Sequence, residues 1–261
     1  MMGAGTIRDL LSPLSQVAVI VAADSSPERL AGLGKDERLS TRVVDVSDPA
    51  ALAAVLAECE VCINGVPTFA GYQMALFEAC LRAGVTYVDY GGMGVLTVQQ
   101  KAWHERFAAA GVTAVIGLGA DPGLSNILCR ACADGLDEID KINLYWTATR
   151  VGPPSPVLVP PYNLATVLAE YANPSQQFLE GELREMPPGA GVEELVLEAP
   201  FGPTLFMFSQ HSEPLTVPFA RGIADKGIRE FTWRLALPRA DHEAWGALVR
   251  AGFGDYDTPV T

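Results

Sequence analysis

Between Val17 and Ala120 short apolar runs alternate with helix-patterned segments, and that alternation admits few folds. "VAVIVAAD" reads as a buried strand ending at Asp24, and "TRVVDV" as a second. Ser47-Asp48-Pro49 follows, a helix start by cap and first-turn proline. "DPAALAAVLAEC" has helical spacing and leads into the strand "EVCING". The amphipathic segment "YQMALFEACLRAG" predicts a helix capped by Gly84. "VTYVDYGG" predicts a strand, "TVQQKAWHERFAAAG" a helix closed by Gly111, and "VTAVIGLG" another strand. Strands alternating with helices over a hundred residues imply an α/β domain: a Rossmann-type, doubly wound parallel sheet covered on both faces.

Beyond "ADPGLSN" the texture changes. "LSNILCRACADGL" reads as a helix and "DKINLYWTATR" as a strand with one solvated face. Prolines crowd into a loop in "VGPPSPVLVPPYN", and "LATVLAEYANP" looks helical. "EELVLEAPFGPTLFMFS" and "GIREFTWRLALP" predict strands of a mostly antiparallel sheet. The expected division is a Rossmann domain over residues 1–124 and a smaller α+β substrate domain over 125–261.

With 18 basic residues against 31 acidic, the net charge of −13 opposes nucleic-acid phosphates and anionic lipid surfaces. No apolar stretch is long enough for a membrane span, and no secretory signal is visible. An odd count of 5 cysteines and the missing signal point to the cytoplasm. Cys59-x-x-Cys62 and Cys129-x-x-Cys132 read as buried apolar cysteine rather than zinc ligands, because Cys129 and Cys132 fall in a helix and Cys62 in a buried strand. No metal is expected.

Gly3-Ala4-Gly5 has the form of a phosphate-binding turn: glycine lets the backbone approach a pyrophosphate, and the following helix aims N–H groups at it. Asp24, ending the next strand, stands where a carboxylate accepts from the adenosine ribose hydroxyls. That favours NAD, with NADP left open by Ser25, Ser26 and Arg29 nearby. Arg8 occupies the place of a third glycine, Met1-Met2 is too short for a central first strand, and Ser12-Pro13 cuts the helix short.

"GLGADPGLSN", with "VVDVSDPAALAAVLAECEVCINGVP" and "GVTYVDYGG", resembles the saccharopine dehydrogenase-like family, and within it the lysine 6-dehydrogenase branch. The resemblance implies a nicotinamide cofactor and oxidoreduction at a C–N bond of a small amino acid or its conjugate, of lysine or saccharopine type. It also implies a homodimer paired through the substrate domain. By the same resemblance Gly3, Gly5, Thr6, Ile7, Asp24, Asp45, Val46, Asn64, Gly65, Val66 and Pro122 are expected at the cofactor. Asn126, Arg150 and Tyr162 are expected at the substrate. Asp121 would orient the reacting nitrogen or the carboxamide; Asp89 or Tyr90, beside Gly91 and Gly92, would accept a proton as an amine becomes an imine. Relative to the family the chain is expected to be shortened at both ends. A degenerate, noncatalytic nucleotide-binding or scaffold protein is the alternative. His211, alone after the strand "TLFMFS", could serve as a base but reads more simply as polar surface, and His104 reads as the solvated face of a helix.

Overall fold

In the computed structural model, residues 2–91, 94–149 and 157–254 are described. The chain divides into two compact units, Met1–Gly123 and Leu124–Thr261. No described helix is long and apolar enough to cross a membrane.

The first unit begins with α1 (Met2–Leu10), followed by β1 (Ile20–Asp24), α2 (Pro27–Ala31), β2 (Leu39–Val43), α3 (Pro49–Leu56) and β3 (Val61–Asn64). It continues through α4 (Gln73–Ala83), β4 (Thr86–Asp89), α5 (Gly94–Lys101), α6 (His104–Ala110) and β5 (Ala114–Val115). All its strand pairs are parallel. The boundaries follow local chemistry. The Asp48 carboxylate accepts from Ala50 and Ala51 N–H at 2.9 and 3.1 Å, starting α3. Gly84 closes α4 in the left-handed region at φ 71°. Leu52, Val55 and Leu56 of α3 pack with Leu76, Phe77 and Cys80 of α4, Tyr87 of β4 and Phe107 of α6. Phe77 is the hub, its ring 4.9 Å from Tyr87 and 4.4 Å from Phe107.

Three features depart from the sequence expectation. The strands form two sheets, β1-β2 and β3-β4-β5, and no described strand bridges them. The helix expected over 97–111 is broken, because Trp103 leaves helical geometry to pack on Phe77, with the Arg106 guanidinium 3.5 Å over its ring. Finally, Gly3 and Gly5 lie inside the first turn of α1, neither with positive φ, rather than in a turn ahead of it. The described backbone makes no bend there that would require a left-handed residue.

The second unit contains α7 (Leu124–Asp134), β6 (Lys141–Thr147), α8 (Leu164–Ala172), β7 (Ser175–Leu179), β8 (Glu182–Met186), β9 (Glu193–Leu197), β10 (Gly202–Phe208), β11 (Glu230–Ala236) and α9 (Arg239–Leu248). The sheet is antiparallel except that β6 pairs parallel with β11 along its full length. Trp233 and Leu235 of β11 and Met207 of β10 pack with Val167 and Tyr171 of α8 and Trp245 of α9. Phe231 joins Cys129 and Ala133 of α7 in a neighbouring cluster. Thr232 and Arg234 alternate with these apolar residues, as the period-2 pleat requires.

Candidate functional site

In open parallel α/β sheets ligands gather at the C-terminal strand ends. In the first unit β3 and β4 end side by side, with Asn64 in register with Asp89. Tyr87, fully buried, links them: its hydroxyl accepts from Asn64 Nδ2 and donates to Asp89 Oδ2, both at 2.9 Å. Burial, with the Asp89 charge adding to it, pushes the Tyr87 phenol well above its ordinary range, so it stays a donor. Asp89 Oδ2 also accepts from Gln100 Nε2 at 2.7 Å, while Oδ1 takes the N–H groups of Gly91 at 2.9 Å and Gly117 at 2.7 Å.

The Asp89 carboxylate is 1% exposed and accepts from four donors. It thereby fixes the loops around it.

Those loops close on Asp121-Pro122, a cis peptide. Gly91, at φ +106°, lies so close that a Cβ there would stand 2.6 Å from Pro122 Cγ. Gly123, at φ +126°, would place one 2.2 Å from the Gly119 carbonyl oxygen. Gly119 N–H donates to the Pro122 carbonyl at 2.9 Å and Leu118 N–H to that of Asp89 at 2.7 Å. Pro122 is thus buried as a packing wedge, and Asp121 beside it is half-buried.

Helix α1 meets the same edge. A Cβ on Gly65 would stand 3.5 Å from Gly3 Cα and 3.8 Å from the Tyr90 ring. The Tyr90 hydroxyl is hydrogen-bonded to Thr6 Oγ1. Val66 N–H donates to Asn64 Oδ1 at 2.9 Å, shaping the turn after β3. Ile7 is half-buried on α1. At the ends of β1 and β2, Val44 N–H donates to the Asp24 carbonyl at 3.1 Å, bringing Asp45 and the half-buried Val46 beside Asp24. The Asp24 carboxylate accepts from Ser26 N–H at 2.9 Å and lies 3.6 Å from Arg29. Asp45 accepts from the Ser47 hydroxyl and N–H at 2.7 and 2.8 Å, bonds that hold its carboxyl below the usual range.

These residues fit a dinucleotide in chemical terms. Nothing lies within 4 Å of where a Cβ would stand on Gly3 or Gly5, so the first turn of α1 presents bare backbone. First-turn N–H groups lack intrahelical acceptors and attract anions. Asp24 offers a ribose acceptor, and the exposed Arg29 beside it a partner for a phosphate.

The second unit brings together residues the sequence reading had separated. Ser125 and Asn126 lie within α7. Ser125 Oγ donates to Glu213 Oε1 at 2.6 Å, and Asn126 Nδ2 to Thr216 Oγ1 at 3.1 Å. Asn126 therefore ties α7 to Thr216, just after the 3-10 turn at 213–215. Tyr162 is likewise engaged, donating its hydroxyl to Glu170 and packing edge-on against Trp146 at 5.6 Å. Arg150 and Gly92 lie outside the described residues.

His211, read from sequence as polar surface, is held in place by the fold. Its imidazole stacks face to face on Trp233, centroids 4.0 Å apart and planes within 4°, and Nδ1 is bonded to Glu213 Oε2. The sequence signal was the polar run Ser209-Gln210-His211-Ser212-Glu213 straight after an apolar strand, which reads as surface although His211 is half-buried and the other four are buried.

Residues 1–115 match the model of the saccharopine dehydrogenase NADP binding domain. Carboxynorspermidine synthases of Vibrio alginolyticus and Vibrio cholerae are 31% and 30% identical over 121 residues, covering 41% of this chain and 29% of theirs. Apo saccharopine dehydrogenase (L-Glu forming) from Saccharomyces cerevisiae superposes on 98% of this chain at TM-score 0.68 and 16% identity, over 57% of its own length. A homospermidine synthase from Legionella pneumophila in complex with NAD covers 90% of this chain at TM-score 0.58 and 15% identity, over 62% of its length. The chain thus matches under a third of the curated relatives and about three fifths of the solved ones, and at these identities the superpositions speak to fold. Residues 1–115 are thus similar to the saccharopine dehydrogenase NADP binding domain, and the superposition shows that the chain shares the saccharopine dehydrogenase fold.

Proposed function

We propose that the protein is an NAD(P)-dependent oxidoreductase acting on a C–N bond of an amino acid or its conjugate, lysine or saccharopine first. The observation that carries this reading is the meeting of α1's bare first turn, the Gly65 turn and Tyr90 at one strand edge. The named relatives support it, since saccharopine, carboxynorspermidine and homospermidine all join carbon chains through nitrogen. The cofactor, when bound, supplies hydride-exchange chemistry. The protein's part is to bind, orient and manage one proton. Gly3, Gly5 and Thr6 hold the pyrophosphate end, Asp24 and Asp45 the adenosine ribose, and Asn64, Gly65, Val66 and Pro122 the nicotinamide side. Tyr90 and Asp121 face the reacting nitrogen, and Asp89 keeps their loops in place. Asp24 favours NAD; Arg29 beside it leaves room for the 2′-phosphate of NADP. We further propose that residues 1–124 and 125–261 act as cofactor and substrate domains of a cytoplasmic homodimer, related to lysine 6-dehydrogenase.

The test is titration of the purified chain with NADH and NADPH by nicotinamide fluorescence, followed by turnover assays with lysine and saccharopine. Saturable binding and substrate-dependent reduction of NAD or NADP are expected. A second reading, a noncatalytic nucleotide-binding or scaffold protein, draws on Arg8 at the third glycine's place and on the separation of β1-β2 from β3-β4-β5. Cofactor binding without turnover on any amine would favour it.

A further inference from the structure

A long strand bonded along one edge presents a row of N–H and C=O groups on the other, a template for a further strand unless charge, proline or a bulge blocks it. Strand β6 of the second unit is such a strand. All seven of its residues are in register with β11, from Lys141 opposite Glu230 to Thr147 opposite Ala236. Among the described residues no strand and no backbone hydrogen bond occupies its other edge. Exposure agrees, since residues 231–236 of β11 are buried and residues 142–147 of β6 are all half-buried. No proline or bulge interrupts β6, and residues 142–149 carry no charge.

Helix α7 extends this surface. Leu128 and Cys132, four positions apart on one helix face, are exposed, as is Leu136 just beyond the helix. With Ile142 and Leu144 of β6 they line an open groove of about 300 Å3. Leu124 and Ile127 carry the exposed apolar face back to the start of the helix.

Two features select a second copy of this chain as the occupant. The first is symmetry. Antiparallel pairing of β6 with its own copy about a two-fold axis at Leu144 is the register that uses all seven residues. It sets Ile142 opposite Trp146 and Leu144 opposite its own mate, on the face where all three pack against the core. Asn143 then meets Tyr145, and Lys141 meets Thr147, on the other face, so the alternation of the strand is kept through both copies. An axis perpendicular to the sheet also keeps both α7 helices on one side of it. The second feature is charge. Two chains of net charge −13 repel, so they meet through uncharged surface, and β6 beyond Lys141 provides it.

We propose that β6 pairs antiparallel with β6 of a second copy about Leu144, joining two six-stranded sheets into one, with the α7 grooves closing over the seam. This rests on the homodimer reading given above and supplies its interface. A seven-residue edge is about 23 Å long and an 11-residue helix about 16 Å. Contacts of that extent fall short of the roughly 800 Å2 per partner of a standard stable interface, so the dimer dissociates on dilution.

The test uses the full chain and an exchange of charge whose sign matters. Two contacts between positions 141 and 147 form per dimer. Sedimentation velocity from about 1 to 100 µM should show monomer and dimer in exchange. At about 0.15 M salt, where long-range repulsion is screened, Thr147→Lys sets like charges opposite and should weaken dimerisation about tenfold. Thr147→Glu should strengthen it by about the same factor, and adding Lys141→Glu to Thr147→Lys should restore it to within about threefold. Circular dichroism checks that each variant folds. If Thr147→Lys does not, amide exchange of the wild type decides: protection along Lys141–Thr147 should rise with concentration, and protection independent of concentration overturns the pairing. A wild-type dimer indifferent to all three charge changes keeps the homodimer and overturns the β6 interface. Trimers or longer assemblies overturn the closed two-fold. A chain monomeric at every concentration overturns the homodimer and its interface together, while the oxidoreductase reading stands or falls by the cofactor titration.

Discussion

The two units each bury a carboxylate completely, and the company each keeps is different. Asp89 is surrounded by Tyr87, Gln100 and the backbone N–H groups of Gly91 and Gly117. Glu213 is met by a serine hydroxyl and an imidazole. Backbone N–H groups can only donate, so Asp89 Oδ1 is locked as an acceptor. A hydroxyl can rotate and an imidazole can exchange tautomers, so the groups around Glu213 can reverse their roles. The first arrangement holds a strand edge with backbone donors, and the second ties α7 to the loop after β10 through side chains.

The largest expected effect tests that asymmetry directly. Asp89→Asn turns one acceptor oxygen into an NH2 facing fixed donors, and should cost about 2–4 kcal/mol of unfolding free energy. Glu213→Gln makes the same chemical change among reversible partners and should cost about 1 kcal/mol. Urea denaturation of the two variants checks the pair, and equal losses would break the comparison. Gly91→Ala comes next: a left-handed backbone position and a Cβ 2.6 Å from Pro122 Cγ should cost about 2–3 kcal/mol by the same measurement, because the wedge cannot retreat. Tyr90→Phe, which loses only the bond to Thr6, should cost about 1 kcal/mol. If Tyr90 faces the nicotinamide as proposed, that variant should bind NADH more weakly.

A second imidazole gives the smallest and most diagnostic effect. His242 meets the neutral Tyr171 hydroxyl at 3.0 Å, and burial lowers its pKa below the ordinary 6.5. The unfolded chain then binds more protons than the folded one as pH falls through 6.5. Stability from this group is present above that pH and is lost as pH drops through the folded value. His242→Gln should flatten this part of the stability–pH curve, measured by denaturation at several pH values. An unchanged slope would remove the contrast between an imidazole held by a phenol and one held by an acid.

The sequence made the strand–helix alternation legible because buried parallel strands are continuous apolar runs and because Asp48, Pro49, Gly84 and Gly111 are strong local punctuation. It hid whatever depends on distant partners. Trp103 breaks a helix whose spacing is unbroken in sequence, since Phe77 lies 26 positions earlier and packs with it. The hairpin of β7 and β8 passed unnoticed because its turn, Glu180-Gly181 at φ 56° and 87°, carries an unusual non-glycine residue in the left-handed region. Asp89 looked reactive because a carboxylate at a strand end is all that sequence can display; its four donors come from positions up to 28 residues away. His211 looked idle for the same reason, as Ser125 is 88 positions from Glu213.

The divided first sheet has a consequence in time rather than in geometry. Among the described residues, strand β4 has neighbours on both edges, while β1 is laddered to β2 alone. Local opening therefore costs less at β1, and amide hydrogens along Ile20–Asp24 should exchange with solvent well before those of Thr86–Asp89. The carboxylate proposed for the ribose thus sits on the strand that breathes first, and a bound dinucleotide would slow that exchange by the free energy of its own binding.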